Sequence, residues 1–140
     1  MPGETDLAAL LAGMRPALQP GLFVFCTLPA DSPIPAGTDP VMIFREAEGR
    51  TLILREEEAR GAGLQGTFPC RMVTLEIHSA LEAVGFMAAI ATRLAAAGMG
   101  VNPVSAFFHD HLFVPADRAG EAVAILEAMA KPAATEPPPG

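Results

Sequence analysis

Apolar positions near the start of the chain recur at helical spacing. Leu7, Leu10, Leu11, Met14 and Leu18 form one stripe, Thr5 stands where a cap belongs, and Pro16 and Pro20 close the segment. Gly21 then leads into Leu22–Leu28, a short run rich in β-formers that reads as a buried strand. Pro29 to Pro40 holds four prolines and reads as a loop. Val41–Phe44 and Thr51–Leu54 make two further strands, joined by a turn over Glu46–Arg50 with Gly49 at a positive-φ position. Glu56, Glu57 and Glu58 open a short helix that Gly61 can stop. Gly61, Gly63 and Gly66 form a flexible joint, which divides the chain into halves 1–65 and 66–131 and leaves a Pro-rich tail, 132–140, expected to be disordered.

The second half alternates more regularly. In the strand Phe68–Ile77, Val73, Leu75 and Ile77 face one way and Met72, Thr74 and Glu76 the other. Leu81–Ala97 reads as a helix ended by Gly98, followed by strands Val101–Phe108 and Leu112–Val114 joined through His109, Asp110 and His111. Asp117 can cap a last helix that turns Ala122, Ile125, Leu126 and Met129 inward. The order β-α-β-β-α is a split βαβ, ferredoxin-like unit lacking its final strand, so the fold class is α+β with antiparallel sheets and helices packed on one face. A strand of the first half can complete the second sheet, or Phe68–Ile77 can serve both halves.

Composition narrows the function. Apolar residues make up 51% of 140, enough for a real core. The net charge is −7, and nine scattered Lys and Arg supply no basic stripe, so nucleic acid and anionic membrane surfaces are excluded as partners. No apolar run approaches the roughly 18 to 20 residues of a bilayer span. The start, with Pro2, Gly3, Glu4 and Asp6, lacks the pattern of a signal peptide, and a cytoplasmic location is expected. Cys26 and Cys70 lie in separate apolar runs without a CxxC pair and read as buried, reduced thiols.

The sharpest local signal is Ser79-Ala80-Leu81-Glu82, a capping-box pattern directly before an apolar helix. Its unpaired N–H groups, at the end of a strand, suit a carboxylate or phosphate. Any well-made helix start has the same form, so spacing alone leaves a plain structural role open. On that helix Glu82, Phe86, Ala89 and Arg93 take the outer line, while Leu81, Val84, Ala88, Ala91 and Leu94 point inward. An outer Phe86 beside Met87 makes the helix apolar nearly all round, which calls for a second cover from the other half or from another chain; a homodimer is expected, unless the halves cover each other and bury Phe86 within one chain. Pro103 marks its strand as an edge. His109 and His111 invite a metal reading with Asp110 and His78, but they fall at a predicted hairpin turn where polar residues belong. Ser79 beside His78 lacks any nucleophile elbow, and Glu56–Glu58 reads as a solvated face. No metal, cofactor or catalytic residue is assigned.

From Met72 through Met129 the strand, the loop at His78–Leu81, the helix, the Gly98-Met99-Gly100-Val101-Asn102 turn, the hairpin and the last helix resemble the ACT-domain family of small regulatory, effector-binding modules. The chain also resembles bacterial proteins that pair two ACT halves and, through them, CASTOR-type amino-acid sensors. The resemblance implies a ligand loop at His78–Leu81, a close-approach position at Gly85 and a strand-start asparagine at Asn102. Two departures stand out: His78-Ser79-Ala80-Leu81 where the family loop often holds Asp-x-x-Gly, and Pro103 after the asparagine. Together these readings give a ligand-binding set of His78, Ser79, Ala80, Leu81, Glu82, Gly85, Asn102 and Val104. The implied function is a non-catalytic sensor of a small molecule, an amino acid; the alternative is a ligand-free protein–protein interaction module.

Overall fold

A computed structural model describes residues 6–80 and 83–135. Helix α1 (Leu7–Gly13) is capped by Asp6, whose carboxylate accepts the Ala8 N–H at 3.1 Å; the expected cap, Thr5, lies outside the described residues. The helix stops far short of Leu18. Pro16 bars its predecessor from helical geometry, so Pro16–Leu18 becomes strand β1 instead. Strand β2 (Phe23–Leu28), the hairpin β3 (Met42–Arg45) and β4 (Arg50–Arg55), and helix α2 (Glu56–Gly61) follow as the pattern predicts. The prolines of 29–40 keep a loop where a ferredoxin-like unit would otherwise place its first helix.

Strand β5 (Thr67–Leu75) is the centre of the molecule. Helix α3 (Phe86–Ala96), strands β6 (Asn102–Ser105) and β7 (Asp110–Pro115), a 3₁₀ turn (Ala116–Arg118) and helix α4 (Ala119–Thr135) complete the chain. Asp117 lies inside the 3₁₀ turn that leads into α4. The last helix also runs through Pro132 to Thr135, so the expected disordered tail is helical over its first residues; 136–140 lie outside the described residues. Arg118 donates to the carbonyls of Gly98 at 3.1 Å and Ala97 at 2.8 Å, which satisfies the C-terminal end of α3.

All strands join one seven-stranded antiparallel sheet in the order β3-β4-β2-β5-β7-β6, with β1 also on β5. The sheets of the two halves are therefore continuous. Strand β1 pairs the end of β5 (Pro16 opposite Leu75) and β2 its beginning (Phe23 opposite Cys70), so a broken strand from the first half supplies the edge that the second half lacks.

Helices cover one face. Val73, Leu75, Leu112 and Val114 meet Leu10, Phe86, Ile90, Leu94 and Leu126, while α2 seals Val24, Cys26, Leu52 and Leu54. Leu94 is buried and Arg93 exposed as expected, but Phe86, expected outward, is 2% exposed, and Val84, expected inward, lies before the helix and is 83% exposed. Burying Phe86 and Ile90 beside Leu94 removes far more apolar area from water than burying Ala88 and Ala91 of the expected inner face. The outward face of α3 is consequently small and polar, with Ala88, Thr92, Arg93 and Ala95 exposed, and it needs no second cover.

The other face carries no helix, yet Phe23, Ile53, Cys70 and Phe113 are buried there. Flat strands spaced roughly 4.8 Å apart would hold the β3 and β6 edges about 24 Å from each other. Met42 of β3 and Val104 of β6 instead pack on the same cluster, so the sheet curls over itself. A bulge between β2 and β5, with Phe68 at φ 57°, adds local twist in the middle of the sheet.

Candidate functional site

The exit of β5 carries the chain through His78 and Ser79 toward α3. Ser79 is buried, and its Oγ donates to Asp110 Oδ2 at 3.2 Å; Ser105 Oγ donates to Asp110 Oδ1 at 2.5 Å. Asp110 is only 8% exposed because, with Leu112 and Val114, it belongs to the inward side of β7. Among the described residues no cation pairs with it. The three polar side chains share a cavity of about 70 Å³ with Ala80, Phe86 and Met87.

The same cavity faces the start of α3. Gly85 is the N-cap residue in a left-handed conformation (φ 88°), and among the described residues no side chain caps the helix. Among the described residues the first i to i+4 bond into α3 runs from Ala89 N–H to Gly85 C=O, and the amides before it meet no acceptor. One cavity thus offers backbone donors at a positive helix end and, across from them, a buried carboxylate.

The expected ligand residues divide between two places. Ser79 and Ala80 line this cavity and Gly85 opens its helix. Leu81 and Glu82 lie outside the described residues, and α3 begins at Gly85–Phe86, not at a Ser79 capping box, because Ser79 spends its hydroxyl on Asp110. His78 does not line the cavity; its ring lies 5.8 Å from that of Phe108. Asn102 and Val104 are not brought to Ser79. They pair with Phe113 and His111 and so lie on the opposite, helix-free face. Ser105 and Asp110, absent from the sequence-derived set, take their place. The Asp110-x-Leu112-x-Val114 alternation carried that signal: an acidic residue in phase with an inward apolar pair.

The curled face holds a separate groove of about 190 Å³, lined by Val41, Met42, Met72, Val104, His111 and Phe113, with Ala106 at one end. His111 Nδ1 lies 3.0 Å from Thr74 Oγ1, which also takes a hydrogen bond from Gln19 Nε2 at 3.1 Å. Burial lowers the His111 pKa, neighbouring His109 lowers it further, and Asp110 opposes both. The histidines are not a hairpin-turn pair: the turn is closed by Ala106 N–H to His109 C=O, and His111 is inside β7. His109 Nδ1 donates to Ile77 C=O at 3.2 Å. Among the described residues no group of three or more His, Cys, Asp or Glu is placed to hold a metal ion. Cys26 and Cys70 are free and buried on opposite faces of the sheet; burial pushes the Cys70 thiol up to about 12. Among the described residues no helix is long and apolar enough to cross a membrane.

Two ACT-domain family models match the chain, one over residues 2–71 and the other over residues 67–128. A Vibrio cholerae protein of unknown function, described as a possible transport protein, shares 40% identity; the alignment covers 89% of this chain and 95% of that one, with a TM-score of 0.80. An Agrobacterium tumefaciens protein shares 20% identity over 84% and 89% of the two chains, with a TM-score of 0.71. The regulatory subunit of aspartate kinase from Thermus thermophilus has the same fold, at 13% identity over 85% and 97% of the chains and a TM-score of 0.63. No curated protein matches the sequence.

Proposed function

The chain belongs to the ACT-domain family, and we propose that it is a non-catalytic, cytoplasmic sensor holding a free amino acid between Asp110 and the start of α3. ACT domains serve regulatory, small-molecule-binding roles in general, and the Thermus relative in fold is itself a regulatory subunit. The observation that carries the amino-acid reading is the polarity of the cavity. Asp110 is buried without a countercharge, which is costly unless a cation arrives to pair with it. The first amides of α3, which meet no cap among the described residues, favour an anion. A zwitterion supplies both groups at the separation of one α-carbon, and its zero net charge is not repelled by a chain of net charge −7. The cavity of about 70 Å³ suits this head group, with the ligand side chain directed toward the rim.

In this reading two ACT units meet near residue 65 and share β5, the arrangement that also likens the chain to CASTOR-type sensors. The homodimer belongs to a different surface from the one the sequence suggested. Strand β3 is a sheet edge with Val41, Ile43 and Phe44 exposed by 48%, 49% and 62%, while the opposite edge is blunted by Pro103.

Calorimetry with a panel of amino acids tests the assignment. One of them binds the wild type, Asp110→Asn weakens it by roughly 10- to 100-fold, the scale of a hydrogen bond to a charged group, and Asn102→Ala leaves it unchanged. Absence of binding across the panel at millimolar concentration, or loss on Asn102→Ala and not on Asp110→Asn, refutes it.

A further inference from the structure

The groove on the curled face is built from both halves of the chain: Val41 and Met42 come from the β3 side, Val104 and His111 from the β6–β7 hairpin. It lies across the sheet from Asp110 and shares none of that carboxylate's polar partners. Its walls are apolar apart from one imidazole. Among the described residues no Lys, Arg, Asp or Glu lines it.

The hydrogen bonds fix which nitrogen of that imidazole is the donor. Gln19 is held by its backbone, N–H to Met72 C=O at 2.8 Å and C=O accepting from Arg71 Nη2 at 3.0 Å, and its side-chain amide donates to Thr74 Oγ1. Thr74 is 5% exposed and has one proton to give. The acceptor within reach is His111 Nδ1 at 3.0 Å. Were Nδ1 protonated instead, Thr74 would accept twice and its own hydroxyl proton would be buried without a partner, a costly arrangement. With the Gln19 amide nitrogen turned to Thr74 Oγ1, Nδ1 accepts and the neutral ring carries its proton on Nε2. Burial, which disfavours the imidazolium, acts in the same direction. Among the described residues Nε2 meets no acceptor.

We infer that this groove is a second binding site, for a small uncharged apolar molecule bearing one carbonyl oxygen. The oxygen accepts the Nε2–H of His111, and the hydrocarbon part lies against Met42, Met72, Val104 and Phe113. The size fits: apolar cavities of about 150 Å³ take a molecule as large as benzene, and this groove has about 190 Å³. A carboxylate lacks a cation to pair with there, and an ammonium lacks an acceptor.

The methionines separate this site from the amino-acid pocket, because Met42 and Met72 line the groove and Met87 lines the pocket. The full chain is labelled with ¹³C-methyl methionine and ¹⁵N-histidine and titrated with hexanamide, hexanoate, hexylammonium and benzene. Hexanamide is expected to shift Met42 and Met72 saturably, to move the His111 Nε2 resonance and to leave Met87 in place. Hexanoate and hexylammonium bind at least tenfold more weakly. His111→Phe lowers hexanamide affinity tenfold or more and leaves benzene binding intact. The wild-type ¹⁵N spectrum reports the Nε2–H tautomer whether or not that variant folds. Failure of both hexanamide and benzene to move Met42 and Met72 overturns the site. Hexanoate binding as tightly as hexanamide, or an Nδ1–H tautomer, overturns the ligand class. Shifts at Met87 under the amino-acid panel bear only on the other pocket, so either reading can fail alone.

Discussion

Gly85 opens the helix that faces the candidate pocket, and replacing it gives a number that the structure determines. Its φ of 88° is in the left-handed region, where an L side chain costs roughly 1–2 kcal/mol. No steric penalty adds to this, since a Cβ at Gly85 would meet only Leu7 Cδ2, at an ordinary 3.7 Å. Gly85→Ala should therefore destabilise by about 1–2 kcal/mol. With an unfolding entropy of about 2.1 cal/mol/K per residue, a 140-residue chain loses about 3 to 7 °C in Tm. Gly85→Asn should recover part of the loss, because Asn tolerates this conformation better than Ala. Gly100→Ala is the control: its φ is not positive and no atom lies within 4 Å of an added Cβ, so its Tm should stay level or rise. Differential scanning calorimetry reads all three. The same strain displaces the first amides of α3, so amino-acid affinity should fall in Gly85→Ala and not in Gly100→Ala. Equal melting temperatures for Gly85→Ala and Gly100→Ala would refute the reasoning.

Phe86→Ala should cost about 3–5 kcal/mol in urea denaturation, because Phe86 is 2% exposed in the core, whereas exposed Arg93→Ala should stay within about 0.5 kcal/mol; similar values would restore the outward phase of α3. Phe44→Lys, or Ile43→Lys, should convert the homodimer to a monomer by light scattering at unchanged circular dichroism, and a wild type already monomeric at micromolar concentration would sink the β3 interface. The Cys70 thiol, pushed up by burial to about 12, stays protonated in the folded state while the unfolded thiol ionises near 9. Its folded pKa is the higher one, so its contribution to stability is present below about pH 9 and lost as pH rises, by up to about 1.4 kcal/mol per pH unit; Cys70→Ala should show a shallower decline between pH 8 and 10.

The fold was legible wherever one principle acted alone. The alternation Val73, Leu75 against Met72, Thr74 placed β5 because nothing local competes with a period of two in that run. The hairpin around Gly49 and the stop at Gly98 followed from the left-handed backbone each needs, φ 156° and 73°. Elements were misplaced where two principles conflicted. The Leu7 to Leu18 stripe suits a helix, but Pro16 is stronger than a periodicity that only its last member, Leu18, extends. The Ser79 to Glu82 capping pattern was outranked by Gly85 and by the demand of a buried carboxylate for the Ser79 hydroxyl. The phase of α3 turned on Ile90, which is fully buried and was missing from the expected inward set.

The candidate site was half legible, and parity explains which half. A strand assigns faces by odd and even positions, so a residue can be placed on the right strand and still point into the wrong compartment. Asn102 was expected at the helix start because it begins a strand beside α3. The register of β6 against β7 sets Asn102 opposite Phe113 and Ser105 opposite Asp110. Phe113 belongs to the cluster inside the curl and Asp110 to the helix side, so Asn102 and Val104 go with the groove and Ser105 goes with the pocket. That register is a tertiary fact, because it depends on where the turn falls between Ala106 and His109, and His109 through His111 look like turn residues in sequence. Once the turn is placed four residues long at 106–109, everything else follows: Asp110 pairs with Ser105, the next residue His111 faces Val104, and two adjacent side chains on one strand enter two separate cavities.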